Sequence, residues 1–235
     1  DPACVTPGQR TMKGTRVPQD AALDELRARD LPLAAGEVKA GGRIDPLIHF
    51  VGRTRVDFVA GANRATVEDL GRWIDRAGMK VRGANGELDL DYGKGLLLVN
   101  APAAQGICGA LKSAGRVESR DATFESPLEI GCFLLVPLDG RTIAESGRLL
   151  LQVMSEEQAT GFETTEADRG RRKIVHIGRD PWTIRAIEGT VRLKRADATS
   201  LKVSVLDGAG VVKERMGDAR EIQLRREAIY YLIER

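Results

Sequence analysis

The plainest hydrophobic pattern lies in the last sixty residues. In "GTVRLKRADATSLKVSVLDGAGVVKERMGDAREIQLRREAIYYLIER" the pairs and triplets Val191/Leu193, Leu201/Val203/Val205 and Ile222/Leu224 alternate with charged or polar neighbours. Side chains of a strand point alternately to its two faces, so each segment has one dry face and one wet one. Antiparallel sheet covered on one side has this signature. It predicts a sandwich that closes on "AIYYLIE" as its final strand.

The same reading extends back to Ile44. "DPLIHFVGRTRVDFVAG" reads as two strands divided at Gly52-Arg53, with Val56 and Phe58 alternating against Arg55 and Asp57. Further strands are expected near residues 79–83, 86–91, 95–99, 121–125, 132–138, 147–154, 173–177, 182–187, 189–194, 200–206, 211–215, 219–224 and 228–234. Turn signals separate them at Asn85-Gly86, Gly93-Lys94-Gly95, Asp139-Gly140, Asp207-Gly208 and Gly217-Asp218. In "ATVEDLGRWIDRAG" the apolar positions Val67, Leu70, Trp73 and Ile74 fall on one helical stripe. Thr66 serves as cap, Asp69 stands at the capping-box position and Gly78 closes the turn, so a helix is predicted there.

Upstream, the first forty-odd residues are rich in Pro, Gly and charge. Their one helical stretch is "QDAALDELRARD", where Leu23 and Leu26 share a face, and "AAGEVKAGGR" then breaks any periodicity. The expected organisation is a lead-in over 1–43 and a β region over 44–235, as one unit or as two packed subdomains at about 44–160 and 170–235. The fold class is all-β: a mainly antiparallel β-sandwich with one or two short helices.

Composition changes this picture little. A chain of 235 residues with 42% hydrophobic and 30% charged residues is an ordinary folded protein, far from the composition of disordered chains. Thirty-six basic against thirty-four acidic residues leave a net charge of +2, with the signs mixed along the chain. Nothing in this argues for nucleic acid, and the densest basic stretch, "RGRRK" at Arg169–Lys173, has no interleaved aromatics and reads as a solvated loop. No apolar run approaches the eighteen or so residues of a membrane span, and no signal pattern opens the chain. The start at Asp1-Pro2, without an initiating Met, reads as a mature form or a piece of something longer.

Candidate chemistry is thin. Cys4, Cys108 and Cys132 match no zinc spacing; at most one bridge can form, and Cys108 with Cys132 is the pair to test. Their settings, "GICGAL" and "IGCFLLV", read as small buried hydrophobes. His49 and His176 sit inside apolar runs, as buried or cross-strand structural residues, where a catalytic imidazole would stand at a strand end beside a nucleophile. Glu87, Asp89 and Asp91 share one face of a strand, about 7 Å apart in succession, and need loop oxygens to hold calcium. Nor do they converge across a sugar as glycosidase carboxylates do. "GGR", "GKG" and "GAG" precede strands and are turns, not phosphate loops. Neither a metal nor a cofactor is expected. Among few aromatics, Trp182 follows Asp180-Pro181 at a strand start and is the ring most suited to a sugar platform; Trp73 reads as core, and one of Tyr230 and Tyr231 faces water.

The order of segments adds a resemblance. "IDPLIHFVGRTRVDF", "LGRWID", "GELDLDYGKGLLLVNAPAAQGICG", "GRLLLQVMSEEQATGFE", "IGRDPWTIRAIEGTVRLKR" and "LKVSVLDGAGVVKE" together resemble the C-terminal β-rich region of large secreted proteins related to glycoside hydrolases, over roughly residues 44–235. Its best motif is satisfied by Gly86, Leu88, Asp91, Gly95, Val99, Asn100, Pro102, Gln105 and Gly106. The resemblance implies a (β/α)-barrel catalytic domain ahead of this region, carrying the catalytic carboxylates. A barrel of that kind takes about 250 residues. The implied role is a non-catalytic accessory module, secreted or at the cell surface, whose partner is that catalytic domain and whose contacts to polysaccharide would use Trp182, Asp89, Asp91 and Asn100. The alternatives are a glycoside hydrolase in its own right, using Asp89, Asp91 or Glu156, and a surface assembly module working through strand edges or faces.

Overall fold

The expected alternation is realised as short antiparallel strands in a computed structural model that describes residues 10–13, 36–38, 47–57, 65–67, 69–167 and 171–235. The fold is all-β, with two short helices, Ile48–Val51 and Leu111–Ala114, among the described residues. Compactness divides the chain into residues 1–97 and 98–235. That boundary falls inside a strand.

The first unit holds β1 (Arg10–Lys13), β2 (Gly36–Val38), β3 (Thr54–Asp57), β4 (Ala65–Val67), β5 (Ile74–Asp75), β6 (Lys80–Arg82) and β7 (Leu88–Asp91). β1 pairs in parallel with β3, β2 antiparallel with β4, and β5, β6 and β7 form an antiparallel meander. Val51, Ile74 and Val81 are its buried cluster, with Phe50, Leu70, Trp73 and Leu90 packed against it. The lead-in helix expected in "QDAALDELRARD" lies outside the described residues.

Two expectations fail here for identifiable reasons. The helix predicted over "ATVEDLGRWIDRAG" does not form; residues 69–79 are turns around the two-residue β5. Asp69 Oδ1 accepts the Gly71 N–H at 2.9 Å and Asp75 Oδ1 accepts the Gly78 N–H at 2.8 Å, local bonds that compete with the helical ladder. Leu70, Trp73 and Ile74 still reach one core, because the Trp73 and Ile74 N–H groups both donate to the Leu70 carbonyl and close a single turn. "LIHFV" is the second case: it is helical rather than extended, burying Ile48 and Val51 and leaving His49 exposed. A one-turn helix puts residues three apart on one side, which the strand reading could not anticipate.

β8 (Leu96–Ala101) runs through the division, half-buried along its whole length. The second unit continues with β9 (Ala104–Gly109), β10 (Arg116–Glu118), β11 (Ala122–Glu125), β12 (Gly131–Pro137), β13 (Arg148–Ser155), β14 (Glu157–Glu166) and β15 (Arg172–Ile184). It ends with β16 (Thr190–Leu193), β17 (Lys202–Leu206), β18 (Val212–Asp218), β19 (Ile222–Gln223) and β20 (Tyr230–Glu234). One layer runs β18-β17-β20-β13-β12-β9 and the other β10-β11-β16-β19. Ile107, Phe133, Leu135, Leu149, Leu151, Val203, Tyr231 and Ile233 from the first layer are buried, as are Phe124, Val191 and Ile222 from the second. They are the dry positions of the alternation, each worth roughly 1.5–3 kcal/mol of burial.

Behind this core, Arg195 fastens the loops. Its guanidinium is only 5% exposed. Nε and Nη2 donate to the two oxygens of Asp197 at 2.9 and 2.8 Å, and Nη1 donates to the Ile143 and Ser146 carbonyls at 2.7 and 2.6 Å. Tyr231 is buried and its hydroxyl accepts the Arg225 N–H at 2.6 Å, while Tyr230 is half-buried.

Candidate functional site

The acidic strand β7 is a paired surface. Asp89 Oδ2 lies 3.4 Å from Arg82 Nη2 on β6, the residue directly opposite it. Asp91, opposite Lys80, lies 3.8 Å from the Lys80 ammonium, is only 16% exposed, and accepts the Lys94 N–H at 2.9 Å. Glu87 is bound by Asn85, whose Oδ1 also accepts the Glu87 N–H. Each carboxylate therefore has a cation or an amide beside it, as cross-strand pairs of opposite charge do. Glu156, the other acidic residue weighed for hydrolysis, is held by Arg185 at 2.8 Å.

Asn100 sits in a structural clasp. Its Oδ1 accepts the Arg120 N–H at 2.7 Å. Five residues on, the fully buried Gln105 grips the same turn: its Oε1 accepts from Ser119 Oγ at 2.7 Å and from the Asp121 N–H at 2.8 Å, and its Nε2 donates to Asp121 Oδ2 at 2.6 Å. Gly106 completes the arrangement. A Cβ placed there would stand 2.1 Å from the Phe133 carbonyl oxygen and 3.0 Å from Leu134 Cα, so only glycine lets β9 approach β12 this closely. The Asn-Ala-Pro and Gln-Gly parts of the motif thus act together, fixing the 119–121 turn and the β9–β12 spacing.

Trp182 is different. It stands on the long β14–β15 hairpin, a two-stranded sheet of its own, and is 63% exposed. Along the same strand Ile174, Val175, Ile177 and Ile184 also face solvent, Ile177 at 79%. Their cross-strand partners are polar or small: Ile174 opposes Thr164, Trp182 opposes Ala159 and Ile184 opposes Glu157, with Phe162 opposite Ile177 the one large apolar pair. The hairpin has no core of its own. The sequence expectation of two strands, 173–177 and 182–187, becomes one strand of thirteen residues with register shifts at Ala159/Thr160 and Glu163/Thr164. His176 is not buried; it is exposed, and its cross-strand role is to face Glu163.

Of the four residues singled out for polysaccharide contact, Asp89 and Asp91 hold cations, Asn100 holds a turn and Trp182 alone is a free platform. The run of exposed apolar side chains along β15 is a feature that sequence reasoning missed. Its signal was present in "KIVHI", an apolar run that leaves no polar face, set beside the polar "GFETTE".

A groove of about 880 Å³ is lined by Ile184 at the end of β15 and by Val205, Leu206, Lys213, Glu214 and Arg225 among others. Glu214 and Arg225 form a bidentate pair in it, with Nη2 to Oε1 at 2.6 Å and Nε to both oxygens at 3.2 Å. The Arg225 guanidinium holds the Glu214 carboxyl below its usual range. No group of three or more His, Cys, Asp or Glu side chains with metal-site geometry occurs among the described residues. No helix among the described residues is long and apolar enough to cross a membrane. No family model, curated protein or solved structure matches the chain.

Proposed function

We propose that the chain is a non-catalytic β-sandwich accessory module of a secreted or cell-surface, glycoside-hydrolase-like protein, and that its β14–β15 hairpin packs against the catalytic domain of the same protein. The exposed apolar side chains Ile174, Val175, Ile177, Trp182 and Ile184, spread over both faces of β15, carry this reading. An isolated two-stranded sheet is marginal in water, and five large apolar side chains in the open mark a contact surface.

Magnitude favours a tethered partner over a free one. Covering these side chains on both faces of the hairpin removes roughly 400 Å² of apolar surface, worth about 10 kcal/mol gross. Association of free partners costs about 4–15 kcal/mol, and a stable interface buries about 800 Å² per side. Tethering replaces most of that cost with an effective concentration of order millimolar, at which a small patch suffices. The family resemblance supplies the tethered neighbour. Trp182 favours polysaccharide contact as the second reading, since a ring this exposed offers a flat apolar face to a sugar.

Hydrogen exchange tests the proposal, comparing the chain alone with the full gene product. Amides of 172–184 should exchange at least tenfold more slowly in the longer protein, and Ile177→Asp should remove that protection without shifting the melting temperature of the chain alone. Equal exchange in both, or a full gene product lacking a catalytic domain, would refute it.

A further inference from the structure

The register of β9 and β12 sets Cys108 directly opposite Cys132, flanked by Gly109 opposite Gly131 and Ile107 opposite Phe133. Directly opposed antiparallel residues have Cα atoms about 4.5–5.5 Å apart, inside the roughly 4.4–6.8 Å range of disulfides, and their side chains leave the sheet on the same face. Both are free thiols; Cys108 is exposed and Cys132 half-buried, which corrects the expectation that both are buried hydrophobes. The ladder thus sets the two thiol side chains next to each other across one strand spacing. The next pair on that face is Gly106 opposite Leu134, and Gly106 brings no side chain against Cys108.

We propose that Cys108 and Cys132 are a redox-modification site that closes to a cross-strand disulfide by exchange with a low-molecular-weight disulfide such as oxidised glutathione, tying β9 to β12. The steps balance. Cys108, as thiolate, attacks one glutathione sulfur; a mixed disulfide forms and one glutathione leaves and takes up a proton. Cys132 then gives up its proton and attacks Cys108 Sγ, the intrachain S–S bond forms, and the second glutathione leaves and is protonated. Two protein thiols are oxidised and one disulfide is reduced to two thiols. The order follows from the site: burial, with the hydrogen bond to Cys108 and then its charge, pushes the Cys132 thiol up to about 12, leaving exposed Cys108 as the first nucleophile.

The test uses the whole chain carrying Cys4→Ser, equilibrated with oxidised and reduced glutathione, alkylated, and read by intact mass and peptide mapping. The proposal expects loss of two hydrogens, a linked peptide pair containing Cys108 and Cys132, and resistance of both to alkylation. Adding Cys132→Ser should stop the reaction at a glutathione adduct on Cys108, and adding Cys108→Ser should slow adduct formation at Cys132 at least tenfold. A stable adduct on Cys108 with Cys132 still alkylated, or full alkylation of both, overturns the proposal. Equal reactivity of Cys132 after Cys108→Ser overturns the assigned order.

Discussion

Replacing Asp197 with Ala removes the carboxylate that neutralises a buried guanidinium. Arg195 and then Arg235 donate to Asp197 and hold its carboxyl down from 3.8 to about 2. Taken at face value that difference is worth about 2 kcal/mol. Asp197 is 35% exposed, so solvent screening reduces its share to about 1 kcal/mol. Stranding Arg195 costs more. A buried charge that loses its partner costs about 3–5 kcal/mol, but Arg195 retains the Ile143 and Ser146 carbonyls, which brings its share to about 1–2 kcal/mol. The expected loss is about 2–3 kcal/mol, or a melting temperature lower by roughly 8 °C for a unit of this size. Thermal melts of both proteins across acid pH are the assay. Because the folded-state pKa is depressed, the stabilisation is complete above the unfolded value of 3.8 and fades as pH falls through about 2. The gap between wild type and variant should therefore be full at about pH 7 and narrow between about pH 4 and pH 2. Melts within about 1 °C at neutral pH, or a gap unchanged at the acid end, would refute the argument.

Two further predictions concern the clasp. Gly106→Ala should cost about 2–3 kcal/mol in urea unfolding, because its Cβ meets backbone of β12 that cannot swing aside; a loss under about 0.5 kcal/mol would show that β9 and β12 separate easily. Gln105→Leu should cost about 2–3 kcal/mol by leaving the Asp121 N–H without its acceptor and the Asp121 carboxylate without the Nε2 donor, while Asn100→Ala should cost about 1 kcal/mol, since Arg120 is exposed and water can replace Oδ1. The reverse ranking would sink the clasp.

Strands with one dry face were legible. Leu149, Leu151 and Val153 are buried as β13 alternation requires, and Val203 and Val205 follow the same rule on β17, whereas β20 buries Tyr231, Leu232 and Ile233 in succession. β9 was not legible, because "AQGICG" has no alternation; its place is set by a glycine fitting under the Phe133 carbonyl, a contact made with β12. β14 was missed because it is polar on both faces and is held by pairing with β15. The predicted helix at 66–78 shows the converse failure. Its apolar stripe is real, but two aspartates bond to nearby backbone and turn the chain first. For the site, Trp182 is expected at a strand start after Asp180-Pro181; that dipeptide instead lies inside β15, and the ring is exposed on a sheet of only two strands, whereas the role of Asn100 depends on a turn twenty residues away that no local pattern announces.

These contrasts separate stability from contact on physical grounds. Polar side chains at strand ends and in loops, such as Asn100, Gln105 and Asp197, look like site residues because turns leave backbone and guanidinium groups that must be satisfied, and here each of the three is used inside the fold. The hairpin reverses this: its backbone is satisfied by its own pairing, so its exposed side chains contribute little to the folding of the second unit and remain free to meet a neighbour. Changes at Gln105 or Asp197 should therefore weaken the chain by itself, whereas a change at Ile177 should be felt only where the hairpin is covered.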